Sequence, residues 1–224
     1  RTFQAFRYRD FRIMWLGAFT STTGTWMQMV AESWIVLSMT NSALYLGLTG
    51  FLGEIPLLLF SLVGGVVADR VERRKMLLGS QYVQMTCAFI LTFLVYFDWV
   101  KISHLLILVF VVGTARSFGG PAYQALIPNL VGREVLANAI ALNSIQFNLA
   151  RVLGPLLAGS ALAAFGATAC FALDGVSFLA VIISLYLIRS SFRPLPTTDS
   201  VWVGMRKGFS FVRSHGVLWQ LCVL

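Results

Sequence analysis

Charged residues are scarce in this chain. Asp, Glu, Lys and Arg make up 12% of its 224 residues, about half the share that soluble globular domains carry. Hydrophobic residues make up 58%, and the mean hydropathy is +0.79. This composition excludes a soluble domain and a disordered chain, and it indicates a membrane protein.

Cysteine and histidine are scarce as well. The 3 cysteines stand singly in apolar runs, without a Cys-x-x-Cys pair, which excludes a disulfide scaffold and gives no sign of redox chemistry. The 2 histidines have no metal-ligand residue types beside them. Phosphate-binding loops, dinucleotide motifs and nucleophile elbows are also missing from the sequence. We therefore expect no metal, no cofactor and no enzymatic activity.

The net charge of +8 does not indicate nucleic-acid binding. A nucleic-acid face would carry its basic residues on a solvated surface with interleaved aromatic residues. Here they form short clusters between long apolar runs. We therefore expect no nucleic-acid partner.

The long apolar runs predict six membrane spans, because about 20 apolar residues cross a hydrocarbon core of about 30 Å. All but three of the 17 Lys and Arg residues fall on one side of these spans. Lys101 lies on the other side, and Arg116 and Arg151 lie within spans. Cytoplasmic connections are enriched in Lys and Arg, so both ends of the chain are predicted to be cytoplasmic. The predicted spans are 14–39, 43–68, 76–97, 103–125, 136–165 and 168–188.

The sequence changes character after the sixth predicted span. Residues 1–188 are predicted to form the six-helix bundle. Residues 189–215 contain Pro194 and Pro196 and then apolar residues at 3-4-3 spacing, which predicts a cytoplasmic linker with an amphipathic surface helix. Residues 216–224 turn apolar again and are interpreted as the start of a truncated seventh span. We expect the chain to be the N-terminal half of a larger protein.

The turn between the second and third predicted spans carries a recognisable motif. It resembles the G-x-x-x-D-R-x-G-R-R/K signature of the major facilitator superfamily, with Glu72 where that pattern has glycine. The resemblance implies a loop that latches one conformational state, and the alternative is an ordinary basic cytoplasmic loop. The matching residues are Gly65, Asp69, Arg70, Arg73 and Arg74.

The fifth predicted span has small residues at four-residue spacing, Ala150, Gly154 and Ala158, which lets another helix approach closely. Pro155 permits a bend. With Gly159, the segment resembles the G-x-x-x-G-P-x-x-G-G motif of antiporters in the superfamily, with alanine at two glycine positions. The resemblance implies a helix-bending motif, and the alternative is a packing seam alone.

Three further segments, 3–12, 40–42 and 119–139, resemble the enterobactin-exporter-like group, also called the transmembrane secretion effector family. The resemblance implies a multi-pass protein of the bacterial inner membrane. It implies a secondary active transporter, a proton-coupled exporter of small amphipathic or siderophore-like molecules working by alternating access. The implied partners are a small-molecule substrate, membrane lipids, protons and the missing C-terminal half. The alternative is a non-transporting membrane receptor, scaffold or assembly component.

Five ionisable residues lie inside the predicted spans, where each is costly unless it is paired or hydrated. In span one, Thr25, Gln28 and Glu32 share a helix face, and such a polar stripe requires a cavity or polar partners. Asn148 and Arg151 begin a similar stripe in span five. The alternative for Glu32 and Arg151 is a buried structural network. The five residues are Glu32, Glu54, Arg116, Arg151 and Asp174.

These residues are assigned different roles. Glu32 has only uncharged neighbours on its stripe and is the predicted proton acceptor. Glu54 lies at the same depth as Arg116 and Arg151 and is predicted to pair with an arginine. Arg116 also resembles the arginine of the R-x-x-Q-G pattern in proton-coupled members, which implies proton transfer. Asp174 is expected to have a capping or structural role.

Overall fold

The computed structural model describes residues 3–189, and for residues 61–66 and 68–70 it describes the backbone only. Two short 3-10 helices, Gln4–Arg7 and Arg133–Val135, accompany the α-helices of this part. The predicted linker, amphipathic helix and seventh span lie outside the described residues. The α-helices are α1 (Arg9–Thr40), α2 (Ala43–Arg70), α3 (Arg73–Tyr96), α4 (Ile102–Leu130) and α5 (Leu136–Leu187).

Helix α5 covers the fifth and sixth predicted spans and is divided by Gly166. This residue has φ 75° and ψ 179°, a positive φ that only glycine adopts without strain. It separates a first arm, residues 136–165, from a second arm, residues 167–187. The break predicted between residues 165 and 168 therefore lies at this glycine.

Among the described residues, four stretches are long and apolar enough to cross a membrane: Ala43–Phe60, Arg73–Tyr96, Ile102–Leu130 and Arg133–Leu187. Helix α1 is not one of them, since its polar stripe and its charged first turn lower its hydropathy. The predicted all-helical membrane fold is confirmed, and the exact number of six spans stays a prediction.

The helices alternate in direction, so the start of α1 and the ends of α2 and α4 lie together at one end of the bundle, the Arg9 end. Helix α1 packs against both arms of α5. The Trp15 indole donates a hydrogen bond to the Leu142 carbonyl at 2.9 Å, and the Ser184 hydroxyl donates one to the Ile13 carbonyl at 3.0 Å. Helix α3 packs against α4 and α5, whereas α2 packs mainly against α4. A gap therefore remains between α1 and α2.

Two apolar clusters form the core, one at each end of the bundle. The cluster at the Arg9 end includes Phe11, Met14, Leu126 and Leu185, and the cluster at the other end includes Met27, Leu91, Leu105 and Phe171. Burial of these large side chains stabilises the contacts among α1, α3, α4 and α5. The gap beside α2 is left for polar residues.

Candidate functional site

A cavity of about 340 Å³ occupies the gap between α1 and α2, with α4 as its third wall. This volume falls at the lower end of the range for small-molecule sites, about 300–1,000 Å³. The lining residues are Thr25, Gln28, Met29, Glu32 and Ser33 from α1, Leu46, Thr49, Gly50, Gly53 and Glu54 from α2, and Val109, Val112, Gly113 and Arg116 from α4.

The α1 wall of the cavity is the polar stripe expected from the sequence. Gln28 and Glu32 are each only 8% exposed. The Oε1 atom of each is buried without a hydrogen-bond partner among the described residues. Buried polar atoms nearly always have a partner. Two unpartnered oxygens at one cavity wall therefore mark a place for a proton or a hydrogen-bond donor.

The opposite wall carries an ion pair. The Arg116 Nη1 atom lies 3.5 Å from the Glu54 Oε1 atom, and the two side chains remain 42% and 60% exposed. Because neither side chain is buried, the ion pair does not close off this wall of the cavity. Both charged groups therefore remain available to a ligand that enters the cavity.

Two glycines bring this ion pair together. A Cβ atom added at Gly113 would overlap the Gly53 carbonyl oxygen and lie 3.1 Å from the Pro56 ring. Helices α2 and α4 therefore cross in direct backbone contact at this point. Glu54 follows Gly53 in sequence, and Arg116 lies one turn after Gly113, so the crossing places both charged groups at the same level of the cavity.

Asp174 lies behind the α1 wall and is 1% exposed. It lies two turns inside the second arm of α5, where it cannot cap the helix, so of the expected capping or structural role only the structural one remains. Its carboxyl group accepts a hydrogen bond from the Ser177 hydroxyl at 3.4 Å and interacts with Thr25 and Glu32 of α1. The sequence already placed Glu32 and Asp174 at a similar depth, and this was the signal that could have joined them.

Asn148 and Arg151 are exposed, and neither belongs to the described lining of the cavity. The Asn148 amide donates a hydrogen bond to the Ser144 carbonyl at 2.8 Å. The Arg151 guanidinium lies 5.4 Å from the centre of the Trp26 ring, a cation–π distance. The stripe in α5 therefore does not extend the stripe in α1.

The latch motif is described only in part, since the side chains of Gly65, Asp69 and Arg70 lie outside the description. Arg73 donates a hydrogen bond from Nη1 to the Ala125 carbonyl at 3.0 Å and so joins the start of α3 to α4. The Arg74 guanidinium lies 5.8 Å from the centre of the Tyr186 ring. Both arginines are therefore held at the Arg9 end of the bundle.

The small residues of the fifth predicted span face α1. Ala150 and Ala158 are fully buried, and a Cβ atom added at Gly154 would overlap the side chain of Trp26. A Cβ atom added at Gly159 would meet nothing within 4 Å. Pro155 lies inside the helix, and the non-helical residue of α5 is Gly166. Gly154 and Gly159 therefore differ in their packing.

Sequence reasoning missed the α2 face of the cavity. Leu46, Thr49, Gly50 and Gly53 recur at three- and four-residue intervals and so share one face of α2. That spacing was visible in the sequence. It was overlooked because Thr49 is the sole polar side chain among these four residues.

A helical bundle with a polar cavity between long apolar helices defines a multi-pass membrane protein. The sequence model of the family described as transmembrane secretion effector matches residues 1–223. The chain belongs to this family of the major facilitator superfamily.

Curated relatives include transporters of several kinds. The chain is 28% identical over 195 residues to the staphyloferrin A transporter of Staphylococcus aureus, covering 86% of this chain and 49% of that protein. It is 25% identical over 216 residues to the multidrug efflux pump Tap of Mycolicibacterium fortuitum, covering 92% and 53%. It is 28% identical over 224 residues to the enterobactin exporter EntS of Salmonella typhimurium, covering 96% and 52%. The chain spans about half the length of these relatives.

Proposed function

We propose that this chain forms the N-terminal half of a secondary active transporter that exports small amphipathic or siderophore-like molecules in exchange for protons. The cavity between α1 and α2 carries this proposal, because it combines a buried carboxyl group, unpartnered acceptors and an accessible ion pair between apolar helices. The relatives named as efflux pump and exporter support the same direction of transport.

In this proposal Glu32 binds and releases the coupling proton, and Gln28 and Thr25 face the substrate. Removal from water disfavours the charged form of a carboxyl group, so a buried glutamate binds a proton more readily than an exposed one. Arg116 and Glu54 form the opposite wall, where the arginine pairs with an anionic substrate group. The second half of the transporter completes the site, and the two halves rock to open it to either side.

The experiment that tests the proposal is a flux assay on the intact protein in sealed vesicles. Staphyloferrin A, enterobactin and erythromycin are suitable probes, because relatives are named as transporters or efflux proteins for staphyloferrin A, enterobactin and macrolides. We expect an imposed proton gradient to drive accumulation of at least one of them. Absence of gradient-dependent flux for the whole set would favour a receptor, scaffold or assembly component instead.

A first prediction concerns membrane topology. Cysteine at position 75 should react with an impermeant thiol reagent only in inverted vesicles, and cysteine at position 101 only in intact cells. The Lys75 side chain is 75% exposed near Glu72, and Lys101 precedes α4 at the other end of the bundle. The basic residues favour a cytoplasmic location for position 75. A variant without Cys222 gives a low background, because Cys87 and Cys170 are buried.

Labelling of position 75 from outside intact cells would contradict this orientation. Labelling of both positions from the same side would contradict the prediction that α3 crosses the membrane.

A second prediction concerns the ion pair. Arg116→Gln should weaken binding of a carboxylate-bearing siderophore about tenfold, or about 1.4 kcal/mol, because the substrate loses its cationic partner. Stability should change less than binding does, because both side chains of the pair are exposed and an exposed pair contributes little to stability. Equilibrium binding to the purified protein, together with its melting temperature, measures both effects.

The methyl ester of the same siderophore is the control for charge, and Lys101→Gln is the control for loss of a basic residue outside the cavity. An equal loss of affinity for acid and ester would show that Arg116 acts through protein structure rather than through substrate charge.

A further inference from the structure

We propose that Gly50 sets the size of the chemical group that the cavity between α1 and α2 admits. This inference rests on the proposed function in taking that cavity as the substrate site. Gly50 belongs to α2, and with Gly53 and Gly113 it is one of three glycines in the described lining.

Gly53 and Gly113 lie where α2 and α4 pack closely. A Cβ atom added at Gly113 would overlap the Gly53 carbonyl oxygen, and one added at Gly53 would lie 3.3 Å from the Val109 Cγ1 atom. Backbone atoms at the crossing of α2 and α4 cannot move aside as the end of a flexible side chain can. Gly113 therefore cannot vary without a change in the bundle, and substitution of Gly53 requires the Val109 side chain to shift.

Gly50 is different, because a Cβ atom added there would meet nothing within 4 Å. Packing does not require glycine at this position. Because Gly50 lines the cavity, we expect a side chain at position 50 to take up part of its volume of about 340 Å³. The residue at position 50 can therefore vary the room inside the cavity without changing the bundle.

The wall opposite α2 shows that this space suits a ligand. Gln28 and Glu32 are both more than nine-tenths buried, and each has a buried oxygen without a partner among the described residues. A group carrying hydrogen-bond donors satisfies these acceptors when it enters between α1 and α2. The donors set the chemistry of the admitted group, and the free space at Gly50 sets its width.

Gly47 provides a matched control. It lies about one turn before Gly50 on α2, is exposed, and a Cβ atom added there also meets nothing within 4 Å. Gly47 does not line the cavity. Substitution at either position replaces a helical glycine in the same helix, so the two variants share any effect on helix stability.

The first experiment tests the geometry and needs no known substrate. In the intact protein without its native cysteines, Gly50→Cys should react with a small charged methanethiosulfonate reagent at least tenfold faster than Gly47→Cys. A thiol must ionise to react, so a thiol that lines the cavity and meets water there should react faster than a thiol outside the cavity lining. Equal rates at the two positions would overturn the proposal even if the protein transports protons and substrate.

The second experiment tests size selection by flux in vesicles, with erythromycin as the bulky probe and ethidium as the compact one. Gly50→Ala, Gly50→Leu and Gly50→Phe should reduce erythromycin flux in that order, by at least tenfold for phenylalanine. Ethidium flux should fall by a smaller factor than erythromycin flux in each of these variants. The same series at Gly47 should leave both fluxes near the values of the parent protein.

Failure of this proposal is distinct from failure of the proposed function. Parent protein that moves none of staphyloferrin A, enterobactin, erythromycin and ethidium in a proton gradient contradicts the proposed function, and the labelling rates then decide the geometry of Gly50. If the parent protein moves both probes and Gly50→Phe reduces both fluxes by the same factor, size selection is contradicted and the proposed function is not.

Discussion

Replacing Glu32 with glutamine should abolish proton-driven flux and leave equilibrium substrate binding within about twofold of the parent protein. Glutamine keeps the shape of the side chain and its hydrogen-bonding atoms but cannot exchange a proton. Glu32 is 8% exposed and lines the cavity, where the proposed exchange of protons for substrate takes place. Flux and binding are measured on the same preparation of reconstituted vesicles.

The charged and polar groups on the helices around Glu32 support its assignment as the proton-binding residue. On its own helix the nearby cavity residues Thr25, Gln28 and Ser33 are uncharged. The second arm of α5 contributes Asp174, a second carboxyl group. Glu54 and Arg116 on α2 and α4 bind each other across the cavity. No described ion pair holds Glu32 in its charged form, so its proton can come and go.

Glu54→Gln is the matched control, because it makes the same chemical change on the opposite wall of the same cavity. We expect it to preserve the dependence of flux on pH, since Glu54 is 60% exposed and paired with Arg116. If Glu32→Gln still accumulates substrate with the pH dependence of the parent protein, the assignment is wrong. Glu54 then becomes the proton-binding candidate.

Local features of this fold could be predicted from the sequence. The lengths of the apolar runs predicted helices in the right places, and the break in α5 falls at Gly166 as expected. Thr25, Gln28 and Glu32 share a face because their spacing in α1 alone determines it. Each of these features depends on residues close together in the chain.

The partners across helices could not be predicted in the same way. Arg116 and Arg151 lie at a similar depth by residue count, so the sequence offered both as partners for Glu54. The choice depends on the close crossing of α2 and α4 at Gly53 and Gly113, which places Arg116 beside Glu54. Arg151 lies instead against Trp26. Many small residues could allow two helices to meet. Which of them does so depends on the packing of the whole bundle.

The largest effect on stability is expected at Gly154. Gly154→Leu should lower the melting temperature of the purified protein by about 2–12 °C, because overpacking of a tight contact costs about 1–3 kcal/mol. A Cβ atom at this position would lie 2.9 Å from the Thr23 carbonyl oxygen and 3.3 Å from the Met27 nitrogen, both in the backbone of α1. The first arm of α5 could accept the new side chain only by moving away from α1.

Gly159→Leu is the control within the same motif, because a Cβ atom there meets nothing within 4 Å. We expect its melting temperature to stay within about 2 °C of the parent protein, since substitutions away from close contacts usually change stability by less than about 0.5 kcal/mol. Equal destabilisation by both variants would contradict the assignment of Gly154 as the contact to α1. If Gly159→Leu is stable but loses flux, Gly159 serves transport rather than packing, and the two glycines of the antiporter-like motif have separate roles.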